Sequence, residues 1–147
     1  MRLTRFTDYS LRVLIYLGQN NQNRVTINQI SETYDISKNH LMKVVSNLTR
    51  LKFVSAQRGP GGGIQLNLPP EDISLDDVIR HTEKHFHEPD SAFSVDRHGI
   101  APDTRLKNYL QNAMQAYFDT LGRFTLADVL GSQAKAIPSL DLKHKAA

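Results

Sequence analysis

From Ser37 to Ala56 the chain carries Lys38, Asn39, His40, Lys43, Asn47 and Arg50 and not one aspartate or glutamate. Cations neutralise phosphates and amides hydrogen-bond base edges. Together they are the chemistry of a surface that lies in a DNA major groove. A helix face that is only solvated normally mixes in glutamates for i,i+4 pairing, and here there are none. Just downstream, Arg58 leads the run RGPGGG, residues 58–63. A nucleotide-binding loop would need Gly-x-x-x-x-Gly-Lys-Ser/Thr running from a strand into a helix. No lysine follows the glycines, and the next segment, Ile64–Leu68, alternates like a strand. An arginine at the base of a slim glycine turn is instead suited to a DNA minor groove, where narrow A·T segments concentrate negative potential. A plain hairpin turn is the simpler reading, but four glycines exceed what such a turn needs. A third group is His81, His85, His87 and His98. His81 and His85, four residues apart on one expected helix face, have a spacing that suits a metal or haem iron, with Asp90, Asp96 and Asp103 as nearby oxygen donors. No thiolate anchors that group, and solvated surface histidines are the commoner origin of such a pattern.

These residues need elements to hold them. Asp8–Leu17 has the apolar spacing of a buried helix face, interrupted by the polar run from Gly18 to Arg24. Thr26 can cap a second helix with Gln29 as its capping-box partner, and Ile27, Ile30 and Tyr34 supply its apolar side. A tight break then leads to Ser37, a good N-cap, with Ile36 placed to staple onto Leu41. Leu41, Val44, Val45, Leu48 and Leu51 form the buried stripe of the third helix, opposite its basic face. Phe53–Gln57 and Ile64–Leu68 read as two strands around the glycine turn. Two short helices, a tight turn and a following hairpin make a winged helix-turn-helix. Beyond a Pro-rich linker, Ser74 caps a helix that turns Leu75, Val78 and Ile79 inward. A long helix follows from Asp103 to Phe124, and Thr125 caps a short terminal one. Leu106, Tyr109, Leu110, Ala113, Tyr117 and Leu121 recur along the long helix at near-heptad spacing. A core within one chain would explain them. A two-fold dimer seam explains them better, because a small winged domain has little left to cover so long a helix.

Composition agrees with this division. Residues 1–70 hold nine Lys/Arg and three acids, a net +6, whereas the remainder holds nine and twelve, a net −3. That asymmetry fits a polyanion-binding module joined to a part with another task. The 147 residues suffice for one domain and an extension. No apolar run reaches the ~18 residues of a membrane span. Neither is there a signal-peptide core, so a cytoplasmic protein without membrane partners is expected. The absence of cysteine excludes disulfides, thiolate metal sites and cysteine nucleophiles. No nucleophile elbow or metalloprotease helix motif occurs, so no catalytic residue and no enzyme activity are expected. An interaction module built on a winged-helix scaffold is the competing class.

The ordered set MRLTRFTDYSLRVLIYL, ISKNHLMKVVSNLTRLKFVSAQRGPGGGIQL and TLADVL resembles the Rrf-two-type family of bacterial winged-helix transcription regulators, with its greatest similarity to the NsrR-like repressors. The resemblance implies a mainly α fold with a small β-hairpin, comprising a winged DNA-binding domain and a long dimerisation helix. The expected division is 1–70 for the winged domain, 71–102 for a linker helix and effector loop, 103–130 for the dimerisation and terminal helices, and 131–147 for a flexible tail. It implies a homodimeric repressor on double-stranded DNA with a palindromic operator. The matching contact positions are Arg2, Thr4, Ser37, Lys38, Asn39, His40, Lys43, Arg58, Gly59 and Gly61. The chain departs from the family at the cofactor. Cluster-binding relatives have three cysteines ahead of the long helix, where this chain places Phe93, His98 and Thr104. Iron–sulfur clusters need soft, anionic thiolates, so no cluster is expected. A small-molecule or protein effector, or metal or haem on the histidines at 81–98, is left as the signal.

Overall fold

The computed structural model describes residues 2–86 and 104–131, which form six helices and one hairpin. Helix α1, Arg5–Gln19, starts earlier and ends later than its apolar spacing suggests. Thr4 provides the N-cap, accepting a hydrogen bond from the Thr7 backbone N–H at 3.3 Å. Gly18 does not break the helix. It lies inside α1, and a Cβ there would collide with the Leu130 side chain of the terminal helix. The glycine is thus a packing device, and the chain leaves the helix one residue beyond it.

Helix α2, Ile27–Tyr34, has the expected Thr26–Gln29 capping box. It stops at Asp35, which takes a left-handed conformation with φ 53°, and the Ser31 hydroxyl donates to the Ile36 carbonyl at 2.7 Å across the turn. Helix α3, Lys38–Arg50, follows at once, capped by Ser37, whose hydroxyl accepts from the His40 N–H. Leu41, Val44, Val45 and Leu48 are buried, as is Ile36 ahead of the cap. Strands β1, Val54–Gln57, and β2, Gly63–Leu66, pair antiparallel from Val54↔Leu66 to Gln57↔Gly63. On its other edge β2 bonds to Val25, with Val25 N–H donating to the Ile64 carbonyl at 2.9 Å and the reverse bond at 2.8 Å. This third partner ties the start of α2 to the wing.

Helix α4, Leu75–Thr82, buries Val78 and Ile79. Ser74 occupies its N-cap position but makes no side-chain cap hydrogen bond. Its backbone is instead bridged to Thr125, and the Leu75 N–H donates to the Phe124 carbonyl at 3.0 Å. The chain therefore returns on itself here. Helix α5, Thr104–Leu121, leads to α6, Leu126–Gly131, whose Thr125 cap is reciprocated by Asp128. One cluster of buried side chains runs from Val13, Leu14 and Leu17 through Ile30, Leu41, Leu48, Val54 and Ile64 to Ile73, Val78 and Leu126. The segments after residue 70 thus share the core of the winged part.

The six expected seam residues divide. Leu106, Tyr109, Leu110 and Ala113 are exposed, Tyr109 to 68%. Tyr117 and Leu121 are partly covered by their own chain. Phe118, which the heptad spacing passes over, is the buried anchor of α5. Its ring meets Phe86 edge-on at 4.8 Å, Tyr117 lies at 5.2 Å, and the Arg80 guanidinium stacks 3.7 Å above it.

The close approach of α1 and α6 has a measurable signature. Gly18→Ala should gain up to about 1 kcal/mol of helix propensity where nothing opposes the new methyl. In the wild type Leu130 opposes it. The substitution is therefore expected to be less favourable in the wild-type background than in Leu130→Ala by about 1 kcal/mol, read from urea unfolding of the four-protein cycle. Additive effects would mean that α6 does not rest on Gly18.

Candidate nucleic-acid interface

The outward face of α3 emerges as one surface because the buried stripe fixes the helix's rotation. Lys38, Asn39, His40, Lys43 and Arg50 are exposed, and so are Met42 and Ser46, which a search for cations and amides overlooks. Asn39, Met42, Lys43, Ser46, Asn47 and Arg50 line one shallow groove of about 590 Å³. Asn47 is half-buried, and its side-chain oxygen accepts from Arg50 Nη2 at 2.8 Å, so these two residues hold each other. His40 leans toward α1, its ring 6.1 Å from that of Tyr9. Beside it Arg5, Phe6, Tyr9, His40, Lys43 and Val44 enclose a smaller hollow of about 240 Å³. Arg5 is a cation of this surface that the sequence motifs do not single out.

The wing shares a hollow with Val45 of α3 and with Thr26 and Ile27 at the start of α2. Arg58, Gly59 and Gly61 are exposed at its tip. Its glycines are all accounted for by the turn, contrary to the expectation of a surplus. Gly59, Gly61 and Gly63 have φ of 93°, 71° and 143°. A Cβ on Gly62 would strike the Gln57 carbonyl, and one on Gly63 would come within 2.8 Å of the Val25 carbonyl. The run is what lets a narrow turn fold back on β1 while β2 stays bonded to Val25.

The N-terminal positions are arranged differently from the other contact positions. Arg2 is exposed. Thr4 has its hydroxyl in the α1 cap, and its backbone N–H donates to Glu83 Oε1 at 2.6 Å. Glu83, 4% exposed, thus brings a carboxylate to the positive end of the α1 dipole. Burial pushes the nearby Tyr117 hydroxyl above its usual range, and the charge of Glu83 adds to the shift. Nothing local in the sequence marks Glu83, since its partner is 79 residues away.

The histidines do not keep the expected geometry. Helix α4 ends at Thr82, Glu83 is extended with ψ 100°, and Lys84–Phe86 form a separate 3-10 turn. His81 and His85 therefore do not share a helix face. The break falls where Glu83 turns to meet Thr4. His81 Nδ1 lies 2.7 Å from the Asp77 carbonyl. His87, His98, Asp90, Asp96, Asp103 and Phe93 lie outside the described residues. Among the described residues no three His, Asp or Glu side chains are grouped to hold a metal ion, and no helix is long and apolar enough to cross a membrane.

A helix-turn-helix whose second helix is basic outward, followed by a glycine-tipped hairpin, defines a winged-helix protein of the nucleic-acid-binding kind. The Rrf2 family model, described as an iron-dependent transcriptional regulator, matches residues 3–132, and the chain belongs to that family. It is 46% identical over 135 residues to the HTH-type transcriptional regulator NsrR of Bacillus licheniformis, covering 90% of this chain and 94% of that one. NsrR of Bacillus subtilis is 42% identical over 147 residues, covering 98% and 100%. Among solved structures, IscR from T. potens superposes with a TM-score of 0.73 at 21% identity, covering 93% of both chains. The relatives are thus transcriptional regulators with this fold. The iron of the family description does not fit the donors here in its thiolate-held form, since the chain has no cysteine.

If α3 and the wing both contact DNA, their contributions should be separable. Arg58→Ala is expected to weaken binding to a selected DNA site by roughly 1–3 kcal/mol, with the thermal unfolding curve unchanged. Asn39→Ala and His40→Ala should flatten base preference, while Lys43→Ala lowers affinity evenly across sequences. A selected-site profile unaltered by all three changes would remove α3 as the reader.

Proposed function

We propose that this chain is a homodimeric repressor that binds a palindromic operator and works without an iron–sulfur cluster. The acid-free outward face of α3 beside an exposed wing arginine is the observation that carries this reading. In it, Lys38, Asn39, His40 and Lys43 enter the major groove, and Arg58, carried by Gly59 and Gly61, enters the minor groove. Ser37 at the start of α3 and Arg2 lie against the phosphates. Thr4 serves there through the helix end it caps rather than through its engaged N–H. Two copies meet along α5 through Leu106, Tyr109, Leu110 and Ala113, with Tyr117 and Leu121 at the margin. The exposure of four apolar or small residues on one helix supports that role. A two-fold pair of α3 helices would then demand an inverted repeat.

Binding of the purified protein to a genomic fragment library, followed at several salt concentrations, tests the reading. Affinity should fall steeply as salt rises, because each neutralised phosphate releases a counterion. Binding that ignores salt would favour the protein-interaction alternative. The same preparation, made anaerobically, is expected to be colourless, free of acid-labile sulfide and competent for DNA. Brown protein with stoichiometric iron and sulfide would overturn the cluster-free reading.

The seam is checked separately. Leu106→Asp with Leu110→Asp places two charges on that face and should convert the dimer to monomer in light scattering, with operator affinity falling at least tenfold. A dimer that survives both changes is held elsewhere.

A further inference from the structure

We propose that Met42 reads the 5-methyl group of a thymine in the major groove. This rests on the DNA-binding reading above and adds the base feature that one side chain recognises. Met42 is 50% exposed, whereas Leu41, Val44, Val45 and Leu48, the other hydrophobic residues of α3, are buried. No packing role accounts for it. The other large exposed hydrophobics, Leu68, Leu106, Tyr109, Leu110 and Phe124, lie outside α3. Met42 is the apolar element of a groove otherwise lined by Asn39, Lys43, Ser46, Asn47 and Arg50.

The occupant follows from charge and from the base edges. Two cations and no carboxylate line the groove, which makes it complementary to a polyanion rather than to a basic or neutral protein surface. In a DNA major groove every base presents hydrogen-bonding groups, and thymine alone adds an apolar one, its methyl. A thioether forms at best weak hydrogen bonds, so the thymine methyl is the base feature that benefits from its contact. Its three rotatable bonds let it settle on that methyl without fixing the helix's angle. Asn39 stands three residues before Met42 and Ser46 four after it, on the same face. At 1.5 Å per residue Asn39 and Ser46 are about 10 Å apart, roughly three base steps. Met42 sits between two hydrogen-bonding side chains, as a reader of one of the two intervening bases.

Uracil tests this directly, because it pairs like thymine and lacks only the methyl. A duplex is selected by the wild-type protein from random DNA, and each thymine is replaced by uracil in turn, with binding read by fluorescence anisotropy. One thymine position per bound α3 should lose about fourfold in affinity, the ratio corresponding to ~0.8 kcal/mol for one buried methyl group. Met42→Ala should bind thymine and uracil equally at that position, and Met42→Leu should keep the preference. Selective binding by the wild type with uracil tolerated at every thymine would overturn the Met42 assignment alone. So would a uracil penalty that persists undiminished in Met42→Ala. No selective binding by the wild type would overturn the regulator reading and this assignment with it.

Discussion

The packing of α1 is the constraint on which the rest of the structure depends. Val13, Leu14 and Leu17 are at most 1% exposed and belong to the same cluster as the buried stripe of α3, Val78 of α4 and the Leu126 side chain of α6. Where α6 crosses α1, the two approach so closely that Gly18 cannot carry a side chain without displacing Leu130. The N-terminal end is held as firmly, because Thr4 both caps α1 and bonds to Glu83 at the end of α4. The exposed Arg12–Asp8 pair on the same helix contributes at most a few tenths of a kcal/mol by comparison, as solvent-exposed i,i+4 pairs do. Apolar burial and the cap, rather than surface charge, therefore set where α1 lies. That in turn sets how α3 is presented.

Presentation has a cost that the fold absorbs. Lys38, Lys43 and Arg50 stand on a helix with no acid to pair with, and Lys38 lies in the first turn, where a cation opposes the helix dipole. A sequence selected only for stability would place glutamates among them. What offsets that cost lies elsewhere on the helix, in four buried aliphatic residues and a satisfied N-cap. The wing shows the same division of labour. Its tip is exposed and bears the charge, while its base is bonded on one edge to β1 and on the other to Val25. In the proposed reading the DNA-contacting groups sit on backbone that is held by other parts of the fold.

The α3 unit was legible in the sequence because everything that defines it is local. Ser37, the stripe at Leu41, Val44, Val45 and Leu48, and the basic residues between them all fall within four turns of helix. The capping box at Thr26 and the cap at Thr125 were legible for the same reason. Features made by distant residues were not. Gly18 reads as a helix breaker until Leu130, 112 positions later, is placed against it. Val25 reads as a loop residue until Ile64 bonds to it. The i,i+4 spacing of His81 and His85 assumes a helix that continues, and the contact that ends it at Thr82 comes from Thr4. Phe118 lay off the heptad pattern because its neighbours, Phe86 and Arg80, belong to other elements. Met42 was passed over for a different reason. A motif search for hydrogen-bonding chemistry has no place for an apolar reader, and only its exposure separates it from the core.

In a family described by its iron, the core of the described residues is built here without any thiolate. The buried cluster is built from residues 13–78 and Leu126, with Phe118 and Glu83 buried alongside it. The positions expected from the resemblance to stand at the cluster cysteines are Phe93, His98 and Thr104, of which Phe93 and His98 lie outside the described residues. In the proposed reading α3 and the wing contact DNA, and α4 and α5 lie outside that surface. The join of α4 to its neighbours is specific: Glu83 closes α4 onto the first helix, and the Phe86, Tyr117 and Phe118 rings close it onto the long one. In the proposed reading a signal received between residues 86 and 104 reaches the Phe86–Phe118 ring contact, three residues along from Glu83, which holds the N-terminus of α1.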